Sequence, residues 1–348
     1  MVLSLEARAR AAYRYVQRRR KSPPKIRLAA RSPVPTVYYF ARDYDAPSGG
    51  IRTIYRHVDL LNAAGIPAAV LHEKRGFRCG WFANRTRITD VGSTGIGPDD
   101  LLVVPETDAA LLPNLPAGVR HVVFNQNCHL TWERDANSVT DHYLRSRDLV
   151  GIMVVSAHSE EVLRYAFDRP VHRVSQCIDP ELFGPPERRN GRVLAYMPRR
   201  GQADAEAVLQ ILRARGVLAH WRVDPVDGVP EQEVARRLRR STIFLSSTYQ
   251  EGFGLPAAEA MACGNYVVGF HGFSGREFFD PEFSHPVPTG DLLALARAAE
   301  ECLLRETAEP GWCFERGLRA AEYIRSTYSP QRERDSVLAF FAEVGFRP

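Results

Sequence analysis

The chain has 348 residues, 45% hydrophobic and 25% charged, with a formal net charge of +5. That length exceeds one ordinary core and points to two domains of about 150 residues each. No run of about 18 apolar residues is present, which excludes a spanning helix, and the six cysteines are scattered without metal spacing, as expected of a reduced, cytoplasmic protein.

Residues 1–33 carry ten cations and one acid, Glu6, so the basic character belongs to this arm and the rest of the chain is net negative. Residues 4–20 fit a basic helix with a thin apolar stripe of Leu3, Leu5, Ala9, Tyr13 and Val16. Such an arm suits an anionic membrane surface or nucleic acid, and equally a solvated tail. No apolar region follows the basic residues, so a secretory signal is not expected. Ser22-Pro-Pro24 breaks the helix and Ser32-Pro-Val-Pro35 leads into the folded body.

Thr36–Ala41 is a short apolar run that predicts a first strand. A loop over 42–48 and the pair Gly49-Gly50 precede a helix over Ile51–Ala64, where Ile51, Ile54, Tyr55, Val58 and Leu61 recur at helical spacing. Gly65 stops it and Pro67–Leu71 reads as the next strand. This β-loop-α-β opening predicts a Rossmann-like domain. Further strands are expected at Leu101–Val104, His121–Asn125 and Ile152–Ser156, and the aperiodic run Gly76–Gly97 reads as loop with a short strand. Asn125, Gln126 and His129 cluster at the end of the second of these strands, where such sheets face a crevice. His129 could contact a ligand, handle a proton or be structural. Ser156 reads as a helix cap.

Pro185-Pro186, followed by polar residues to Gly191, is the best linker. Strand–helix alternation then restarts: strand Arg192–Met197, helix Ala203–Arg213, strand Trp221–Val223, helix Glu231–Arg239, strand Thr242–Ser246, strand Tyr266–Phe270, helical segments from Asp291 to Leu304, and an amphipathic helix over Pro330–Phe346. Met197-Pro-Arg-Arg200 follows the first strand of this half, and its paired guanidinium groups suit a diphosphate.

The most specific segment is Ser247–Gly264. Glu251 stands in a Gly-rich turn and Glu259, eight positions on, in a helix of small residues. Strand, Gly-rich turn and helix N-terminus make a site for phosphate and sugar groups, and a carboxylate accepting two hydrogen bonds suits a vicinal diol. Pro256 fits a first helical turn and Gly264 a C-terminal cap.

The string Glu-Gly-Phe-Gly-Leu-Pro, then Glu259, then Ala-Cys-Gly resembles the Glu-x7-Glu motif of retaining glycosyltransferases with the two-Rossmann-domain (GT-B) architecture, most closely their family 4. The resemblance implies an α/β chain divided into the arm 1–33, an acceptor domain 34–186, a nucleotide-sugar domain 187–328 and a C-terminal helix 329–348 that crosses back to the first domain. It implies that Glu251 faces the donor sugar, Glu259 holds the ribose, and Gly252, Phe253, Gly254 and Leu255 contact sugar or phosphate. Gly49 and Gly50 would approach the donor's pyrophosphate, and Arg199 and Arg200 would stabilise the leaving diphosphate. Related enzymes place an Arg and a Lys there; this half has no lysine, so either Arg200 replaces it or its role is absent. No cofactor and no metal is expected: Asp43-Tyr-Asp45 has the spacing of a metal-binding pair but sits in the wrong loop. Phe-Asn-Gln-Asn and Tyr-Met-Pro-Arg-Arg resemble segments of rhamnosyltransferase-like members of polysaccharide pathways. The expected partners are a nucleotide sugar and a glycan or lipid-linked acceptor. Transfer to modified DNA bases and a non-catalytic binding module are the alternatives.

Overall fold

The computed structural model describes residues 23–132, 136–188, 191–199 and 201–347. The basic helix expected at 4–20 and Arg200 lie outside the described residues. A short parallel pair, β1 (Arg27–Leu28) with β5 (Gly95–Ile96), flanks the first sheet. That sheet is formed by β2 (Val37–Phe40), β3 (Ala68–His72), β4 (Ile88–Asp90), β6 (Leu101–Pro105), β7 (His121–Asn125), β8 (Leu149–Val154) and β9 (Val171–Arg173). Its spatial order is β4-β3-β2-β6-β7-β8-β9, parallel throughout. The second sheet contains β10 (Val193–Tyr196), β11 (Arg222–Pro225), β12 (Ile243–Ser246), β13 (Tyr266–Phe270) and β14 (Ser284–Val287). Its order is β11-β10-β12-β13-β14, again parallel. Both are doubly wound orders, reversing direction between β2 and β6 in one sheet and between β10 and β12 in the other.

Burial explains the strand sequences. Every residue of β3, β6, β7, β12 and β13 is buried, so these strands read as continuous apolar runs rather than alternating ones, as parallel sheets covered on both faces do. The covering helices are α1 (Gly49–Ala63), α2 (Ala136–Arg145), α3 (Ala157–Ala166), α4 (Gln202–Ala214), α5 (Glu231–Arg240), α6 (Leu255–Ala262), α7 (Leu292–Ala308), α8 (Trp312–Thr327) and α9 (Pro330–Glu343). The structure moves several expected boundaries. Ser48 accepts the amide of Ile51 and caps α1, so Gly49 and Gly50 form the helix's first turn rather than the loop before it. β8 starts at Leu149 and ends before Ser156, which caps α3 through the amide of Ser159. The run Gly76–Gly97 holds two short strands, β4 and β5.

Helix α9 returns to the first domain. Val337, Phe340 and Phe341 join the core that contains Tyr39, Ile54 and Val58, the Phe341 ring lying 6.1 Å from that of Tyr39. Arg56 of α1 donates from Nη2 to Oε1 of Glu333 of α9 at 2.6 Å, and its Nε lies 2.6 Å from Oε2 of the same carboxylate as an ion pair. The fold is the two-Rossmann-domain GT-B arrangement, with its last helix crossing back. No described helix is long and apolar enough to cross a membrane.

Candidate functional site

In a doubly wound sheet, the crevice opens at the carboxyl ends of the strands where the order reverses. Here both crevices open into one space. A cavity of about 660 Å³ is walled by Ala41, Pro105 and Glu106 at the ends of β2 and β6, and by Met197, Arg199 and Thr248 beyond β10 and β12.

The second domain's wall is the Glu251–Glu259 segment. Ser246 ends β12 and donates to the carbonyl of Phe270 at 2.7 Å, tying the turn to β13. The turn then takes an unusual path: Gln250 and Phe273, neither a glycine, both have left-handed backbones, at φ 45° and 67°. Glu251 pairs with Phe273 in an isolated bridge, its amide donating to Gly272 and its carbonyl accepting from the Ser274 hydroxyl at 2.6 Å. Such conformations cost on the order of 1–3 kcal/mol each and gather where a site demands them. Gly254, at φ 100°, precedes α6, a conformation open to glycine at little cost. Pro256 occupies the first turn of α6, and Ala257, Ala258, Ala260 and Ala262 are buried. This small-residue helix brings Glu259 into the cavity wall, 8% exposed.

The first domain's wall approaches closely. A Cβ at Gly252 would lie 1.6 Å from the carbonyl oxygen of Gln126, so no side chain fits there. Gln126 donates to the carbonyl of Gly50 at 3.3 Å, and Asn127 donates to the carbonyl of Gln250 at 2.9 Å. Gly49 faces the side chain of Leu255. Arg199 donates to the carbonyl of Pro47 at 3.0 Å.

Two charged groups define the electrostatics. Glu106 is almost wholly buried; burial pushes its carboxyl up to about 7, against the opposing donation from the amide of Gln126, 2.9 Å from Oε2. Glu259 is also raised, first by burial, with Arg52 opposing. Arg52, in the first turns of α1, reaches across to Glu259 at 3.0 Å and also contacts Glu231 of α5.

Of the residues singled out in the sequence, Gly49, Gly50, Gln126, Arg199, Glu251, Gly252, Phe253, Gly254, Leu255 and Glu259 all line this cavity. Asn125 and His129 are not among its lining residues. Asn125 is fully buried and donates to the hydroxyl of Thr131, which corrects its reading as a crevice residue. His129 stacks on His158 at 5.3 Å and against Phe273, and burial lowers its pKa, with His158 adding. Cys128, His129 and His158 have ligand atoms within 4.8 Å of one another, the one such group among the described residues; it too lies outside the cavity lining. Arg52, Glu106, Asn127 and Glu231 were not singled out. The position of Glu106, just past a predicted strand end beside the switch point, was the available signal.

Residues 199–305 match the family described as "Glycosyl transferases group 1". An alpha-1,6-glucosyltransferase of Actinobacillus pleuropneumoniae serotype 7 (strain AP76) is 24% identical over 207 residues, which is 57% of this chain and 62% of that protein. The match thus spans less than two thirds of that relative. Among solved structures, the sucrose-phosphate synthase of Thermosynechococcus elongatus superposes with a TM-score of 0.67 at 15% identity, covering 89% of this chain and 99% of the other. S. aureus TarM, in a complex with Fondaparinux, alpha-GlcNAc-glycerol and UDP, gives 0.67 at 9% identity, covering 89% and 99%. Anabaena HepE, in complex with UDP-glucose, gives 0.65 at 11% identity, covering 88% and 99%. These likenesses establish the shared fold.

Proposed function

We propose that the chain is a retaining glycosyltransferase that moves a sugar from a nucleotide diphosphate sugar to a glycan or lipid-linked acceptor without a metal ion. The observation that carries this reading is the convergence of both switch-point crevices on one cavity whose wall presents Glu251 and Glu259 together. A match to the group 1 glycosyl transferases over the domain that holds both carboxylates supports it.

In this reading Glu259 accepts the two ribose hydroxyls and Glu251 orients the donor sugar. The N-terminus of α1, opening at Gly49-Gly50, and the turn Gly252–Leu255 offer backbone N–H groups to the diphosphate and sugar. Arg199, beyond β10, and Arg200 stabilise the charge that develops on the leaving diphosphate. The acceptor enters from the first domain. The bond from the anomeric carbon to phosphate breaks, a bond to the acceptor oxygen forms on the same face, and the acceptor's proton passes to the departing phosphate. For a lipid-linked acceptor, the cationic residues 1–33 meet an anionic membrane surface; liposome flotation that is the same with and without them would remove that part.

The test is a thermal-shift screen of UDP, GDP, dTDP and ADP, alone and as hexose and 6-deoxyhexose conjugates. A ligand that binds the folded state raises the melting temperature by mass action. One nucleotide is expected to stabilise the protein, and its effect is expected to vanish in Glu259→Ala. No shift from any of them at millimolar concentration would replace this reading with a non-catalytic binding module.

A further inference from the structure

The cavity wall is short of positive charge for an anionic ligand. Its described lining includes three cations, Arg42, Arg52 and Arg199, against six acids, Glu106, Asp108, Asp227, Glu231, Glu251 and Glu259. A nucleoside diphosphate needs cations that can turn towards it. Arg42 is committed within its own domain, to Asp108 at 2.9 Å and to the carbonyl of Thr107. Arg199 donates across the cleft to a neutral carbonyl, that of Pro47. Arg52 has the heaviest engagement of the three: it sits against both Glu259 and Glu231, and its Nε is buried without a hydrogen-bond partner.

That engagement is where a ligand would intervene. A ribose diol donating to the oxygens of Glu259 competes directly with the guanidinium at 3.0 Å. Arg52 also follows Gly49-Gly50 on the first turns of α1, so the amides at the helix N-terminus and this guanidinium belong to the same corner of the cavity.

We propose that Arg52 is a donor-binding residue supplied by the first domain: in the free protein it occupies Glu259, and when ribose takes that carboxylate its guanidinium turns to the diphosphate. The step exchanges ionic and hydrogen bonds only. It explains how a second domain with no lysine gains a further cation, from across the cleft. It also makes donor binding and cleft geometry interdependent, because the cation and the ribose carboxylate stand on different domains. This inference rests on the donor site proposed above.

The test uses the full chain, the nucleoside diphosphate that gives the largest shift among UDP, GDP, dTDP and ADP, and the parent nucleoside of that diphosphate. Binding of each is measured by titration calorimetry for the wild type, Arg52→Gln and Arg52→Lys. Arg52→Gln is expected to weaken the diphosphate roughly ten- to hundredfold, the range for a lost charged hydrogen bond. It should leave the nucleoside bound at least as tightly, because Glu259 no longer has a guanidinium to shed. Arg52→Lys keeps the charge but loses the planar fork; it should weaken the diphosphate less and leave the nucleoside unchanged. Equal changes for diphosphate and nucleoside, or an unchanged diphosphate, would overturn the proposal. If Arg52→Gln does not melt cooperatively, Arg52→Lys decides by the same comparison. A wild type that binds no diphosphate would instead overturn the donor site itself.

Discussion

Glu106 is a buried cleft carboxylate whose ionisation is linked to stability. Its folded-state pKa, about 7, stands above its ordinary value. Between those values the folded chain holds a proton that the unfolded chain has lost. The stability this group contributes is therefore full at low pH and is lost as the pH rises through about 7. The whole difference amounts to roughly 3 kcal/mol at most, at about 1.4 kcal/mol per pKa unit. Glu106→Gln keeps an acceptor for the amide of Gln126 and cannot ionise. It is expected to flatten the pH dependence, being relatively more stable at pH 8 than at pH 5 when urea midpoints of the two proteins are compared. Parallel curves would show that Glu106 titrates in its ordinary range. At this scale the sequence was legible where chemistry is concentrated in one segment: Glu251, Gly252, Gly254 and Glu259 stand together and all reach the cavity. It was mute where a residue acts through distant partners. Arg52 meets Glu259 across 207 positions of chain, and the amide of Gln126 is held by a carboxylate 20 positions earlier. No local periodicity carries such a pairing.

The Gly-rich turn before α6 works by letting two backbones touch. Gly252 is not in the left-handed region, so alanine is acceptable to its own backbone. The obstacle lies across the cleft, where the new Cβ would meet the Gln126 carbonyl at 1.6 Å. Gly252→Ala is therefore expected to leave each domain folded and to push the two apart. A displacement of about 1 Å at a reacting centre costs on the order of 100-fold in rate, so donor turnover should fall by that order while the melting temperature changes little. X-ray scattering should report a larger radius of gyration; an unchanged radius with full turnover would mean that Gln126 moves aside at no cost. Elements themselves were mostly readable, because buried parallel strands are unbroken apolar runs and α1 keeps helical spacing. Those that escaped are one whole helix, the 16-residue α8 over Trp312–Thr327, and short strands with weak signatures. β14 reads Ser-His-Pro-Val, with two residues only half-buried, and β9 is a three-residue edge strand. Expected ends shifted where a cap decided them: Ser48 starts α1 before the glycines, and Ser156 caps α3 as its hydroxyl suggested, so the strand expected to run to it ends earlier, at Val154.

For the molecule as a whole, α1 is the element on which the two domains and the chain's end are joined. Arg56 stands four positions after Arg52, about one helical turn on. The first meets α5 and α6 of the second domain, and the second meets Glu333 of the returning α9. Glu333 is 1% exposed, and burial raises its carboxyl with Arg56 as the chief opposing influence. His57 beside them is held neutral by burial, with Arg56 adding, its pKa lowered to about 3. Arg56 is thus the cation that compensates the carboxylate of Glu333. Removing one partner of a buried pair leaves the other charge uncompensated, at about 3–5 kcal/mol, whereas replacing both by apolar side chains of similar size is often neutral. Arg56→Met is therefore expected to lower stability by about that amount. Arg56→Met with Glu333→Leu should recover most of it, since Val337, Phe340 and Phe341 still anchor α9 in the shared core. Denaturant unfolding of the wild type, both single variants and the double variant gives the coupling energy directly. A double variant no more stable than Arg56→Met would mean that the pair itself, rather than the apolar face of α9, fastens the C-terminal helix to the first domain.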